Sequence, residues 1–289
     1  MTGKIERLPS LAALGGRYTA LLCDLWGCYH DGLKPYPAAV AALRAFRAGG
    51  GIVLLLTNAP RPVLGVERFL AGIGAPDDTH DGVLSSGEVC LAALRAGRYG
   101  TRLHYVGPDR DLGLLAAAGL SDTPLDEAEA LLCTGLRDDR AEGPEDYAEE
   151  IAHWRTRGLP MLCANPDIIV DRGTERLFCA GALAAAYAAA GGEVHYFGKP
   201  HAAVYAAALA RLSELAGRPV APSEVLAAGD GIATDVRGAR AAGIDGLFVT
   251  GGIAAPELGA DPLTPDPARL ERFLAAHGER PAYWMPRLA

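Results

Sequence analysis

Asp24 closes the apolar run Leu21-Leu-Cys-Asp24, and Gly27 breaks the pattern just beyond it. Such a run reads as a buried parallel strand with Asp24 at its carboxyl end. Ligands of open α/β sheets bind at that edge. A carboxylate there is costly to leave unpaired, so it points to a cation or a reaction, the plain alternative being a helix cap. Three more strand ends bear on the choice. Gly51-Ile-Val-Leu-Leu-Leu runs into Thr57-Asn58, whose hydroxyl, amide and backbone N–H groups suit an anionic oxygen. Val194-His-Tyr-Phe ends in Gly198-Lys199-Pro200, and lysine supplies the compact positive charge that suits a phosphate. Val225-Leu-Ala-Ala-Gly229 ends at Asp230, with Asp235 on the following turn. Hard oxygen ligands at such an edge suit Mg²⁺.

In this order the four segments resemble the four motifs of the haloacid dehalogenase superfamily, in its phosphatase branch with a large cap. Asp24 matches the nucleophile, Thr57 the hydroxyl of the second motif, Lys199 the lysine of the third, and Asp230 and Asp235 the acidic fourth. Gly198-Lys-Pro-His-Ala-Ala-Val-Tyr, Gly229-Asp230…Thr234-Asp235 and Asn165-Pro166-Asp167 are similar to the class IIA group, which includes sugar-phosphate, nucleotide and pyridoxal phosphatases. The likeness spans about residues 18 to 254. It implies an α/β fold, a doubly wound parallel sheet carrying an inserted α/β cap. It also implies a Mg²⁺-dependent hydrolase acting on a small phosphorylated metabolite through an aspartyl-phosphate at Asp24. Thr57, Asn58 and Lys199 would then hold the phosphoryl oxygens. Asp24, the backbone carbonyl of Trp26 and Asp230 would bind Mg²⁺, with Asp235 assisting. Asn165 and Asp167 would face the substrate from the cap, although an Asx-Pro turn holding its own backbone is an equal reading of that tripeptide.

Trp26 departs from the pattern. The resemblant phosphatases carry there an aspartate that protonates the leaving group and then activates water, and indole does neither. The metal carbonyl survives any side chain. His30, or less favourably Asp31, is the nearby substitute expected for the acid/base role, since an unperturbed imidazole titrates near ~6.5; loop residues contacting cap or solvent are the simpler reading. Two rival functions remain open: a dehalogenase-like hydrolase acting on carbon, and a binder of phosphate compounds with impaired turnover.

The surrounding text fits an enzyme of two units. The 289 residues are half hydrophobic, and their formal net charge of −8 disfavours nucleic acid and anionic membrane as partners. No run approaches membrane-spanning length and the first residues do not read as a signal peptide, which predicts a cytoplasmic protein. A homodimer is left open. The six cysteines lie scattered, without a Cys-x-x-Cys pair, and read as reduced core residues. Strand and helix patterns alternate, with a helix over 37–48 stopped by Gly49-Gly50-Gly51. The turn-rich 76–82 marks a boundary, predicting a core of 1–80 and 191–289 around a cap of 81–190. Ser85-Ser86-Gly87-Glu88 reads as a helix cap.

Overall fold

The structure, a computed structural model, describes residues 5–172 and 175–289. Its strands are β1 (Glu6–Arg7), β2 (Ala20–Cys23), β3 (Ile52–Thr57), β4 (Gly82–Ser85), β5 (Leu103–Val106), β6 (Ala130–Cys133) and β7 (Met161–Cys163). They continue with β8 (Ile169–Arg172), β9 (Glu175–Phe178), β10 (Val194–Tyr196), β11 (Val225–Gly229), β12 (Asp245–Val249) and β13 (Tyr283–Met285). The main sheet is parallel, in the order β1-β13-β12-β11-β2-β3-β4.

The apolar runs are continuous because both faces of this sheet are covered. Leu21, Cys23, Val53 and Leu55 pack on one side with Leu43 of the helix Pro37–Ala48. Ala20, Leu22, Leu54 and Leu56 pack on the other with Val204, Tyr205 and Leu212 of the helix Ala202–Ala216. Truncating any of these buried leucines to Ala should cost about 2–5 kcal/mol. From β2 the chain winds outward through β3 to β4, returns to β11 beside β2, and winds the other way through β12. The switch point of the doubly wound sheet therefore lies between β2 and β11, whose ends carry Asp24 and Asp230.

A second parallel sheet, β10-β7-β6-β5, forms the inserted unit with its own core around Trp154, Tyr147 and Tyr187. An antiparallel hairpin, β8-β9, follows β7. Both expected boundaries shift. β4 belongs to the main sheet, where the Asp81 carboxylate accepts from the Val53 N–H at 2.8 Å and from Arg47 Nη2 at 2.6 Å, fastening the edge strand to β3. β10 belongs to the cap sheet, paired with β7. The insertion thus runs from after β4 to the end of β10 rather than over 81–190. Ser85 caps the helix Ser86–Arg95, its Oγ accepting from the Glu88 N–H at 2.9 Å, as the sequence pattern predicts.

Candidate active site

The ends of β2, β3 and β11 and the loop after β10 converge on one buried ion cluster. Lys199 Nζ donates to Asp24 Oδ1 at 2.5 Å, to Asp235 Oδ1 at 2.7 Å and to the Leu56 carbonyl at 3.2 Å. All three ionic side chains are almost completely buried, so these bonds are charge-assisted in a medium of low polarity. Asp235 Oδ2 accepts from the Gly231 N–H and from Thr234 Oγ1, both at 3.2 Å, so its two oxygens are both engaged. The wide turn Ile232–Val236 sets this geometry, with the Val236 N–H reaching back to the Gly231 carbonyl.

Asp230 differs. Its Oδ2 accepts from the Ile253 N–H at 2.7 Å, and two glycines close over it. A Cβ on Gly27, which sits at φ +72°, would lie 1.9 Å from Asp230 Oδ2, and one on Gly252 would lie 2.0 Å away. Those two positions allow the backbone to press against the carboxylate.

Asp24, Asp230 and Asp235 each offer an oxygen, and these atoms lie within 4.8 Å of one another. Three carboxylates face one ammonium, and the imbalance shows in the titration of the group. Burial, opposed by Lys199 and reinforced by Asp235, holds the Asp24 carboxyl well above the usual range. Burial and Asp235 push Asp230 up to about 7. Burial would lower the Lys199 ammonium, but Asp235 and Asp24 outweigh it and hold it well above its ordinary value. A divalent cation with oxygen preference is the group that would balance this donor set. Hydrogen bonds from the His30 N–H to the Leu25 carbonyl and from the Gly27 N–H to the His30 carbonyl bracket Trp26, fixing the peptide expected to supply the metal carbonyl.

Asn58 joins core to cap. Its Oδ1 accepts from the Lys199 N–H at 2.7 Å, while its Nδ2 donates to the Lys199 carbonyl at 3.1 Å and to Asp167 Oδ1 at 2.8 Å. Burial raises the Asp167 carboxyl to about 6, with Lys199 and the Asn58 amide pulling against it. Asn165 Oδ1 accepts from the Asp167 N–H at 3.1 Å, the Asx turn anticipated for that tripeptide. Thr57 Oγ1 accepts from the Ala59 N–H at 3.1 Å, leaving its proton free for an anion.

Above the cluster lies a cavity of about 610 Å³, lined from both units, with Asp24, Thr57, Asn58, Asn165, Asp167, Lys199, Asp230 and Asp235 all on its wall. That volume suits a small organic ligand. His30 is the expectation that geometry turns away. It is fully buried, it is not among the cavity's lining residues, and its Nδ1 accepts from the Gly32 N–H at 3.0 Å. Burial lowers its pKa to about 4, and Trp26 meets its ring edge-to-face at 5.1 Å between centroids. Spacing placed His30 near the site but carried no signal of which way the loop folds. Asp31 lines the cavity but caps its own turn, accepting from the Leu33 and Lys34 N–H groups at 2.8 Å each.

The sequence model of the haloacid dehalogenase-like hydrolases matches residues 21–121, and a second, HAD-hydrolase-like model matches 196–275. Over 98% of its length the chain superposes on all of a haloacid dehalogenase-like hydrolase from Brucella suis, at 38% identity and a TM-score of 0.86. The chain belongs to this family. A possible sugar phosphatase from Cytophaga hutchinsonii shares the fold at 20% identity and a TM-score of 0.76, over 98% of this chain and 99% of that one. A glycerol phosphate phosphatase from Mycobacterium tuberculosis, solved in complex with magnesium, is 28% identical over 88% of this chain and 74% of its own, with a TM-score of 0.63. No curated protein matches significantly. As a member of this hydrolase family the chain is an enzyme.

Sequence reasoning did not single out Arg61, Asp111 or Phe69. Arg61 Nε, on the core loop after β3, donates to the buried Asp111 of the cap at 2.6 Å, a second tie across the cavity. Pro60 and Pro62 around Arg61 were a usable signal for a presented side chain; nothing local marks Asp111.

Proposed function

We propose that the enzyme is a Mg²⁺-dependent phosphatase of small phosphorylated metabolites that works through an aspartyl-phosphate on Asp24. The observation that carries this reading is the Lys199 ammonium held between Asp24 and Asp235, beside Asp230, at the floor of a cavity walled by Thr57 and Asn58. Asp24, Asp230 and the Trp26 carbonyl would hold Mg²⁺, with Asp235 positioning Lys199 and the Gly231 turn. Bound there, the ion supplies neutralisation of phosphoryl charge. Asp24 attacks phosphorus with the carboxylate oxygen not held by Lys199, the ester P–O bond breaks, and water later hydrolyses the acyl phosphate to restore the carboxylate. The Thr57 hydroxyl, and Lys199 by exchanging its bond to the Leu56 carbonyl for one to the substrate, hold phosphoryl oxygens through this transfer. The phosphatases among similar structures, one with bound magnesium, support the same chemistry.

The test is release of inorganic phosphate from a panel of monoesters, with and without Mg²⁺, alongside a halide-release assay. Asp24→Asn should remove turnover while circular dichroism and thermal unfolding show an intact fold. Activity of that variant within a few-fold of wild type, or halide release indifferent to Mg²⁺, would overturn the proposal.

A further inference from the structure

Trp26 puts an indole where the cavity approaches Asp24, and an indole N–H neither gives nor takes a proton near neutrality. Outside the ion cluster, the acidic and phenolic groups on the cavity wall each have a partner. Asp31 is capped by two backbone N–H groups, and Asp111 is held by Arg61. Asp139 meets Arg110, and Asp171 accepts from Arg176 at 2.7 Å. Tyr36 lies under Arg287, whose guanidinium carbon is 4.6 Å from the ring centroid. Asp167 is bonded to Asn58, on the side of the Lys199 backbone. In place of a proton donor, the wall offers a flat apolar face. Trp26 and Phe69 stack with centroids 6.0 Å apart and planes 17° from parallel, and both line the cavity. From the cap, Ile168, just before β8, and Phe178, at the end of β9, stay 49% and 39% exposed while lining the same space.

We propose that the enzyme is selective for aryl phosphate monoesters, whose planar ring packs on the Trp26–Phe69 face and whose oxygen leaves as a phenolate without being protonated. This rests on the phosphatase reading above. In the first step an Asp24 oxygen bonds to phosphorus, and the aryl O–P bond breaks with its electron pair left on the phenolate. In the second, water adds to phosphorus, the acyl phosphate cleaves to phosphate and the Asp24 carboxylate, and the proton released balances the one the phenolate takes up in solution. A phenol ionises near ~10, so its anion departs unaided. An alkoxide approaches the basicity of hydroxide, whose parent water has a pKa of about 15.7, and needs the missing acid.

Steady-state kinetics of the Mg²⁺-loaded enzyme on acetyl phosphate, a series of substituted phenyl phosphates and glycerol phosphate test this. Acetyl and phenyl phosphate should turn over, kcat/KM should fall steeply with rising phenol pKa, and glycerol phosphate should lag phenyl phosphate by about 10²–10⁴-fold. Trp26→Asp should narrow that gap by raising the glycerol phosphate rate, and Phe69→Ala should raise KM for phenyl phosphate more than for acetyl phosphate. Glycerol phosphate hydrolysed by wild type within about tenfold of phenyl phosphate would overturn the selectivity and mean that another acid operates. Loss confined to glycerol phosphate in Asp167→Asn would name that acid. Acetyl phosphate left intact would instead sink the phosphatase reading, and the selectivity with it.

Discussion

Lys199 is the residue on which the charge arrangement turns. Its ammonium is the cation bonded to both Asp24 and Asp235, and removing one member of a buried ionic set leaves uncompensated charge. Lys199→Met should lose about 3–5 kcal/mol of stability, measured by urea unfolding without added metal. The same variant should lose about 10²–10³ in kcat, the usual effect of deleting one stabilising donor. Stability within error of wild type would mean that the carboxylates find another partner. His30 shows the opposite case. A ring of suitable chemistry a few residues from the nucleophile is fully buried behind Trp26 and Phe69, which meet it edge-to-face and line the cavity in its place.

Among the elements, the turns after β2 and β12 close on Asp230 because they carry glycine at the contact. Gly252→Ala should displace the Asp230 carboxylate, and Gly27→Ala should add strain from its positive φ. Both should weaken Mg²⁺ binding by calorimetry at least several-fold more than an exposed control such as Gly217→Ala. Undiminished binding in both would place the metal away from Asp230. The strands bearing the site were legible in the sequence, since β2, β3 and β11 are uninterrupted apolar runs ending in a polar residue. β4 and β10 were harder to allot. Each is short and sits next to a domain crossing, and its sheet is fixed by a partner far along the chain. The hairpin β8-β9 went unread because Ile169-Val-Asp-Arg and Glu175-Arg-Leu-Phe mix apolar and charged residues without a strict alternation, as suits a segment half exposed over a cavity. The Arg61–Asp111 tie was invisible for the same reason as the cluster's exact partners: it joins residues 50 apart.

For the whole molecule, no helix among the described residues is long and apolar enough to cross a membrane, and all six cysteines are free and buried. The closing segment is anchored by Glu279, whose carboxylate accepts from Arg237 Nε at 2.9 Å and Arg240 Nε at 2.8 Å, tying the chain just past the helix Pro267–His277 to the short helix Arg237–Ala241. Burial raises this carboxyl, but the two arginines outweigh it and hold it below its ordinary value. Its contribution is therefore full above the unfolded-state value near ~4.3 and is lost as pH falls through the lower folded value. With both guanidinium groups about half exposed, Glu279→Gln should cost only about 1–2 kcal/mol at pH 7. The difference from wild type should begin to shrink as pH falls below about 4.3 and vanish once pH has passed the lower folded value, and a constant difference across that range would contradict the ion-pair account. The central claim, a covalent phosphoryl group on Asp24, is tested most directly by mixing enzyme, Mg²⁺ and acetyl phosphate, quenching in acid within the first turnovers, and reducing with borohydride. Mass spectrometry of the peptide spanning Asp24 should show the reduced alcohol at that carboxyl, absent without substrate. Full turnover with an unmodified Asp24 peptide, or reduction at another carboxylate, would contradict it.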